Sequence, residues 1–80
     1  MGVRVLFLGP LRDIAGMEEI EVAAPLAWAE LLKAVAPSVR AQLEDDRVNV
    51  ACAGRVLADK TTLRAVEGDE VALLPPVSGG

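Results

Sequence analysis

Apolar and polar residues alternate near the two ends of the chain and follow a helical spacing in its middle. Val3 to Leu8 is an apolar run broken only by Arg4 and bounded by Gly9-Pro10, which predicts a central strand. Glu18 to Val22 alternates polar and apolar residues and predicts a second strand, which forms a hairpin with the first. The wide loop of that hairpin extends to Gly16 and contains Leu11, Arg12, Asp13 and Ile14.

A helix is predicted in the middle of the chain, beginning at Pro25. Apolar residues recur there at the i, i+3, i+4 and i+7 positions of one helical face, namely Trp28, Leu31, Leu32 and Val35. We expect Trp28 to pack the helix onto a sheet rather than to stack on a ligand. Pro37 is predicted to end the helix, because the residue before a proline is disfavoured in the α region. Ser38 is predicted to cap a short second helical turn.

Three further strands are predicted in the second half of the chain. Arg47 to Ala53 alternates, with Val48, Val50 and Cys52 on one face, and Gly54-Arg55 is predicted to turn the chain into Val56-Leu57-Ala58. Asp59 to Ala65 is predicted to be a loop with one helical turn. Glu67-Gly68-Asp69 is predicted to be a turn in which Gly68 supplies a positive φ. Val71 to Leu74 is the last predicted strand.

The predicted order ββαβββ indicates an α+β fold with one main helix on one face of a mixed sheet of about five strands. This is the ubiquitin-like, β-grasp roll, in which neighbouring first and last strands are parallel. We expect residues 1–75 to form the domain and residues 76–80 an extended C-terminal tail. The sheet face that the helix leaves uncovered is predicted to contact partners. Its candidate residues by alternation are Leu6, Leu8, Leu57, Ala72 and Leu74.

Composition and charge exclude several classes of function. The chain has 80 residues, 52% of them hydrophobic, and a net charge of −4. Its eight Lys and Arg residues are scattered without a basic stripe, which argues against nucleic acid as a partner. No run approaches the roughly 20 apolar residues of a membrane span, so a cytoplasmic protein without membrane contact is expected. A chain with no histidine and one cysteine also offers neither a usual catalytic base nor a metal site.

The last six residues begin with two prolines and end with two glycines. The prolines fix φ and remove two backbone donors, so the segment is poorly suited to a sheet ladder. Two glycines have no Cβ and fit a channel too narrow for other residues. We therefore expect the chemistry of this protein at the carboxylate of Gly80, with the other five residues binding partners. Those five are Pro75, Pro76, Val77, Ser78 and Gly79.

The sequence resembles the MoaD family, the small sulfur-carrier subunits of molybdopterin synthase. The resemblance rests on VLFLGPLRDIAG (Val5 to Gly16), on EGDEVALLPPVSGG (Glu67 to Gly80), and on the length and layout between them. It covers essentially the whole chain, and the last stretch is its most specific part. Where the family often has an asparagine in an AVNG segment, this chain has Ala53 in ACAG. That departure concerns the hairpin and leaves the terminus unaffected.

The resemblance implies a non-catalytic subunit of a sulfurtransferase complex. An E1-like enzyme of the MoeB type would use ATP to adenylate Gly80, and a sulfur donor such as a cysteine desulfurase would supply the sulfur of a terminal thiocarboxylate. The tail, anchored by Val77, would enter a large subunit of the MoaE type within a heterotetramer. There it would deliver sulfur to cyclic pyranopterin monophosphate in molybdenum cofactor biosynthesis. The resemblance implies no permanently bound cofactor.

Three alternatives stay open on the sequence. The same carrier chemistry could serve thiamine synthesis, tRNA thiolation or conjugation to protein lysines. The chain could also be an interaction module with an inert tail. Cys52 could carry sulfur as a persulfide, although a small buried hydrophobe is the commoner role for such a residue. Arg12 and Asp13 are interpreted first as surface turn residues and second as partner contacts.

Overall fold

Five strands form one mixed sheet, and a separate pair of two-residue strands lies beside it. The computed structural model of the chain describes residues 2–76. The main sheet has the order β2-β1-β7-β4-β5 and the separate pair is β3-β6. The strands are β1 (Val3–Phe7), β2 (Glu19–Val22), β3 (Leu26–Ala27), β4 (Asn49–Cys52), β5 (Arg55–Val56), β6 (Arg64–Ala65) and β7 (Glu70–Leu74). The helices are α1 (Pro10–Ala15), α2 (Trp28–Ala34) and α3 (Pro37–Leu43), with a 3₁₀ turn at Lys60–Thr62.

Strand β7 lies at the centre of the main sheet, between β1 and β4. It pairs in parallel with β1, where Phe7 lies opposite Leu73, and antiparallel with β4, where Asn49 lies opposite Leu74. The hairpin of β1 and β2 is antiparallel, as is that of β4 and β5. The predicted mixed sheet of five strands and its parallel first and last strands are therefore confirmed.

The hydrophobic core lies between the inner face of the sheet and the helices. Alternate residues of β1 and β7 point into it, which is the expected result of a two-residue side-chain period. Leu31 from α2 and Leu43 from α3 are fully buried against the same cluster. Trp28 and Leu32 pack on the cluster at its margin, in agreement with the predicted helical face. The buried hydrophobic residues of the core are Val3, Val5, Phe7, Leu11, Leu26, Leu31, Val35, Val39, Leu43, Val48, Val50, Leu63, Ala65, Val71 and Leu73.

The helices differ from the prediction in number and in their first residues. The loop after β1 contains α1, which starts with Pro10 at its first position and ends at the left-handed Gly16. The predicted start of α2 at Pro25 is wrong, because Leu26 and Ala27 are extended and pair with β6. The predicted second helical turn is the full helix α3. Pro37, not Ser38, begins it, and the residue before Pro37 makes no side-chain capping bond.

The second half of the chain matches the predicted strands with a shift of one residue at the β4–β5 turn. Cys52 pairs with Arg55, so the two turn residues are Ala53 and Gly54 rather than Gly54 and Arg55. Both have a positive φ, 52° at Ala53 and 84° at Gly54. This is the conformation of a type I′ hairpin turn, whose twist matches that of the flanking strands. The predicted turn at Gly68 is confirmed with a φ of 88°.

Candidate functional site

The segment that leads into the predicted tail emerges from the centre of the sheet. Leu74 is the last residue of β7, Pro75 is half-buried and Pro76 is exposed. A proline cannot donate to a ladder, so the sheet ends where these two residues begin. Val77, Ser78, Gly79 and Gly80 lie outside the described residues, and their roles stay predictions.

A row of apolar residues crosses four strands on the outer face of the sheet. Leu6 pairs with Ala72, Ala72 with Ala51, and Ala51 with Val56. Directly paired residues of neighbouring strands share a face, so these four side chains lie side by side. Leu74 follows Ala72 by two positions and faces the same way. We call this set, Leu6, Ala72, Ala51, Val56 and Leu74, the outer row.

Leu57 was predicted to lie on the outer face, and this prediction is wrong. Its side chain packs against the hydrophobic core, while the neighbouring Val56 is 60% exposed on the outer face. The turn begins one residue earlier than predicted, and a shift of one residue exchanges the two faces of a strand. Val56 was missed for the same reason, whereas Ala51 was predicted on the face of its strand opposite to Val50 and was only left out of the candidates. Leu8, also predicted for this face, lies just beyond β1 and is 40% exposed.

Charged residues border the outer row: Arg4 and Glu70 lie on the side away from Leu74, and Glu19 lies beside Leu6 at the β2 end of the row. Arg4 donates a hydrogen bond to Glu70 at 2.8 Å, and its Nε lies 3.8 Å from a carboxylate oxygen of Glu19. All three side chains are about half exposed. Exposed ion pairs of this kind contribute at most about 1 kcal/mol, so their main effect is to give one edge of the face an acidic character.

Cys52 lies in an environment that disfavours a reactive thiolate. Burial raises its pKa, and the nearby carboxylate of Asp69 raises it further. The thiol donates a weak hydrogen bond to Asp69 Oδ2 at 3.8 Å. Nucleophilic cysteines instead have a lowered pKa, so the geometry favours the structural interpretation of Cys52 over the persulfide alternative.

The other residues singled out in the sequence have structural surroundings. Arg12 is exposed on α1, with its Nη1 3.6 Å from a carboxylate oxygen of Glu18. Asp13 is exposed on the same helix. In the turn before β7, Asp69 accepts a hydrogen bond from the Val66 amide at 3.0 Å, which holds the turn closed.

The described residues offer no cleft or metal-binding group that is a better candidate for the functional site than the outer face of the sheet. A cleft of about 370 Å³ is open and lies at the beginning of β1 and β7, at the end of the sheet opposite to Leu74. Within residues 2–76 no group of His, Cys, Asp and Glu side chains is arranged to hold a metal ion. No helix in the same residues is long and apolar enough to cross a membrane.

The sheet order, the parallel first and last strands and the proline-led segment define a ubiquitin-like protein. The chain matches the ThiS family over residues 5–80 and therefore belongs to that family. It is 35% identical over 82 residues to the molybdopterin synthase sulfur carrier subunit of Escherichia coli, covering 98% of this chain and 99% of that protein. The resemblance to the MoaD family predicted from the sequence is thus confirmed.

Three solved structures that share this fold come from archaea. The HVO 2177 protein of Haloferax volcanii superposes with a TM-score of 0.76 at 26% identity, covering 100% of this chain and 87% of that one. SAMP1 from the same organism gives a TM-score of 0.65 at 27% identity, covering 98% of each chain. A putative molybdopterin converting factor subunit 1 from Pyrococcus furiosus gives 0.64 at 27% identity, covering 94% of this chain and 97% of that one.

Proposed function

We propose that this chain, a sulfur carrier of the MoaD and ThiS type, donates sulfur in molybdenum cofactor biosynthesis. The proposal is supported most directly by the exit of the chain from the central strand β7 through Pro75-Pro76, beside the outer row. A further support is the 35% identity, over almost the full length, to a subunit named for this role.

The proposed chemistry takes place at the carboxylate of Gly80. A carboxylate oxygen is a poor leaving group. An E1-like adenylating enzyme therefore transfers AMP from ATP to the carboxylate and releases pyrophosphate. The terminal sulfur of a donor then attacks the acyl carbon and AMP leaves. Sulfide gives the thiocarboxylate directly, whereas a persulfide donor gives an acyl disulfide, whose S–S bond a thiol then reduces to release the thiocarboxylate. The activated end enters a large subunit of the MoaE type, where sulfur passes to the pyranopterin precursor. The activating enzyme, and not this chain, binds the ATP. We place the protein in the cytoplasm, where ATP is present.

The proposed role of the domain is to bind each partner through the outer row and to present the tail to it. Val56 contributes an exposed apolar side chain at one end of the row. Burial of apolar surface is the main favourable term in protein association. The acidic edge formed by Glu19 and Glu70 beside Arg4 favours partners with a basic rim.

Mass spectrometry tests the chemistry. The chain is incubated with an E1-like enzyme, ATP and a sulfur donor. We expect one terminal oxygen to be replaced by sulfur. Deletion of Gly80, or addition of one residue after it, should abolish the change, because the reacting carboxylate is then misplaced. An unchanged mass with an enzyme that activates a known carrier would refute the proposal and favour an inert tail.

Two exposed valines test the docking surface. Val56 is 60% exposed in the outer row, and Val66 is 56% exposed in the turn before β7, outside the row. We expect Val56→Ser to raise the KM for adenylation about fivefold, since partial burial of a valine side chain at the interface is worth about 1 kcal/mol. Val66→Ser should change the KM less than twofold, as is usual for a surface substitution. Equal KM values for the two variants would exclude Val56 from the interface.

A second candidate function is conjugation to protein lysines. It is favoured by the similarity to SAMP1, because a structure of that name from Methanosarcina acetivorans is described as a small archaeal modifier protein. The two functions diverge after adenylation, when the acyl group passes either to sulfur or to an amine. Incubation with the activating enzyme, ATP and a lysine-rich acceptor, without a sulfur donor, distinguishes them. A covalent adduct on lysine would support the modifier function, and its absence would support the sulfur carrier.

A further inference from the structure

Gly9 forms the corner between β1 and α1 and lies against the ring of Pro75. Its φ of 54° and ψ of −133° form a combination that residues with a Cβ rarely adopt. A Cβ at Gly9 would lie 3.3 Å from Cγ of Pro75. Carbon atoms in optimal contact are about 3.5–4.0 Å apart. The lack of a side chain at Gly9 therefore permits the close approach of Pro75.

A buried side chain and two backbone hydrogen bonds fix the position of the corner at Gly9. Leu11, two residues further along, is only 1% exposed and fixes the start of α1 in the hydrophobic core. The Leu11 amide donates to the Leu8 carbonyl at 3.1 Å, and the Arg12 amide donates to the Gly9 carbonyl at 3.0 Å. Gly9 is thus part of a hydrogen-bonded turn anchored by a buried side chain. Pro75 packs against a surface that cannot easily yield.

Pro75 is also restrained from its own side. Leu74, which precedes it, pairs with Asn49 in the sheet. The ring fixes the φ of Pro75, and the following Pro76 confines its ψ to the extended region. The segment from Leu74 to Pro76 therefore has little rotational freedom. A displacement of the Pro75 ring must turn the whole segment.

We propose that Gly9 and Pro75 form a joint that sets the direction in which the chain leaves the domain. Gly9 is then a positioning residue for adenylation of the terminal carboxylate, and this inference rests on the proposed function. The five residues after Pro75 span at most about 17 Å, so a rotation of about 5° at the joint moves their end by up to about 1.5 Å. A misplacement of about 1 Å at a reacting group can lower a rate by about 100-fold.

The two glycines that flank α1 provide a pair of variants. Gly16 has a φ of 75° in the left-handed αL region, and a Cβ there would meet nothing within 4 Å. Both variants place a Cβ at a positive φ, but Gly9→Ala carries the greater backbone strain and alone presses on Pro75, so two proline variants are needed to separate these two effects. We expect Gly9→Ala to lower the kcat of adenylation about tenfold, with a KM within about twofold of the original because the outer row is unchanged. Gly16→Ala should leave both constants within about twofold.

The prolines give a second pair in case Gly9→Ala does not fold, which a thermal melt would reveal. Pro75→Gly removes the ring from the joint and leaves the backbone of Gly9 untouched. Pro76→Gly frees the ψ of Pro75 but leaves its ring against Gly9. We expect Pro75→Gly to lower the kcat of adenylation more than Pro76→Gly does. Equal kcat values for the two proline variants would refute the proposed joint.

The outcomes separate this inference from the proposed function. If the original chain is adenylated and Gly9→Ala behaves like Gly16→Ala, the joint is refuted while the carrier function stands. If a competent activating enzyme does not adenylate the original chain, the proposed function fails and the joint fails with it. A selective loss of kcat in Gly9→Ala and in Pro75→Gly supports the joint.

Discussion

Ala53 occupies a backbone conformation that suits an asparagine better than an alanine. It is the first residue of the type I′ turn between β4 and β5, where its φ is 52°. Among residues 2–76 it is the one residue other than glycine with a positive φ. Asparagine tolerates this region because its short side chain forms local hydrogen bonds, and Asn-Gly is the preferred sequence for this turn. The following residue, Gly54, already satisfies the second position.

The expected gain from Ala53→Asn follows from the backbone alone. The left-handed region costs an ordinary L-residue about 1–2 kcal/mol, and asparagine avoids roughly half of that cost. Ala53 is exposed, so no packing is lost, and its amide continues to donate to the Glu70 carbonyl at 3.0 Å. We therefore expect the free energy of unfolding to rise by about 0.5–1 kcal/mol. For a domain of this size that corresponds to an increase in Tm of about 2–8 °C.

Urea denaturation provides the measurement. The midpoint should increase while the m value stays constant, because the surface exposed on unfolding is unchanged. Ala58→Asn is the matched control, since Ala58 is also exposed and has no positive φ. Its free energy of unfolding should change by less than about 0.5 kcal/mol. An equal gain in both variants, or none in Ala53→Asn, would refute the link between stability and the conformation of Ala53.

Three further predictions concern other positions. Gly2→Ala should lower the free energy of unfolding by about 1–3 kcal/mol in a denaturant titration, since a Cβ there would overlap the Val22 carbonyl of β2. Lys60→Met should cost about 1–2 kcal/mol in the same titration, because its ammonium donates at 2.5 Å and 2.7 Å to two backbone carbonyls and lies 5.9 Å from the centre of the Trp28 ring. Hydrogen bonds from Arg47 lower the pKa of Asp45 from 3.8 to about 2. The ionised Asp45 carboxylate therefore contributes fully to stability above about pH 4, and this contribution is lost as the pH falls toward 2. Stability measured across this range should depend less on pH in Asp45→Asn.

The features that were predicted correctly from the sequence are those that depend on local periodicity or on the residue types of a short segment. Alternation predicted the strands of the main sheet, and the spacing of Trp28, Leu31, Leu32 and Val35 predicted the face of α2. The family resemblance, carried chiefly by the last fourteen residues, was also correct. Such signals are strong because each is repeated over several residues or combines several constraints at once.

The features that were missed depend on tertiary contacts. Strands β3 and β6 have two residues each and form only because Leu26 meets Ala65 across the fold. Helix α1 has six residues, too few for its period to be recognised in a loop. The exchange of Leu57 for Val56 on the outer face arose from a turn placed one residue too late. In the same way, nothing local to Lys60 indicates that it bonds the carbonyls of Asp45 and Val48.

The central position of β7 has a consequence for the synthesis of the protein. This strand comes last in the sheet's sequence order, yet β1 and β4 both need it as a neighbour. While the ribosome is still translating the region before Glu70, those two strands have unpaired edges, and the core lacks Val71 and Leu73. The domain therefore folds only after β7 has emerged, at nearly the same time as the segment that follows Pro76. A chain interrupted before that point stays open to proteases and does not compete with finished molecules for their partners.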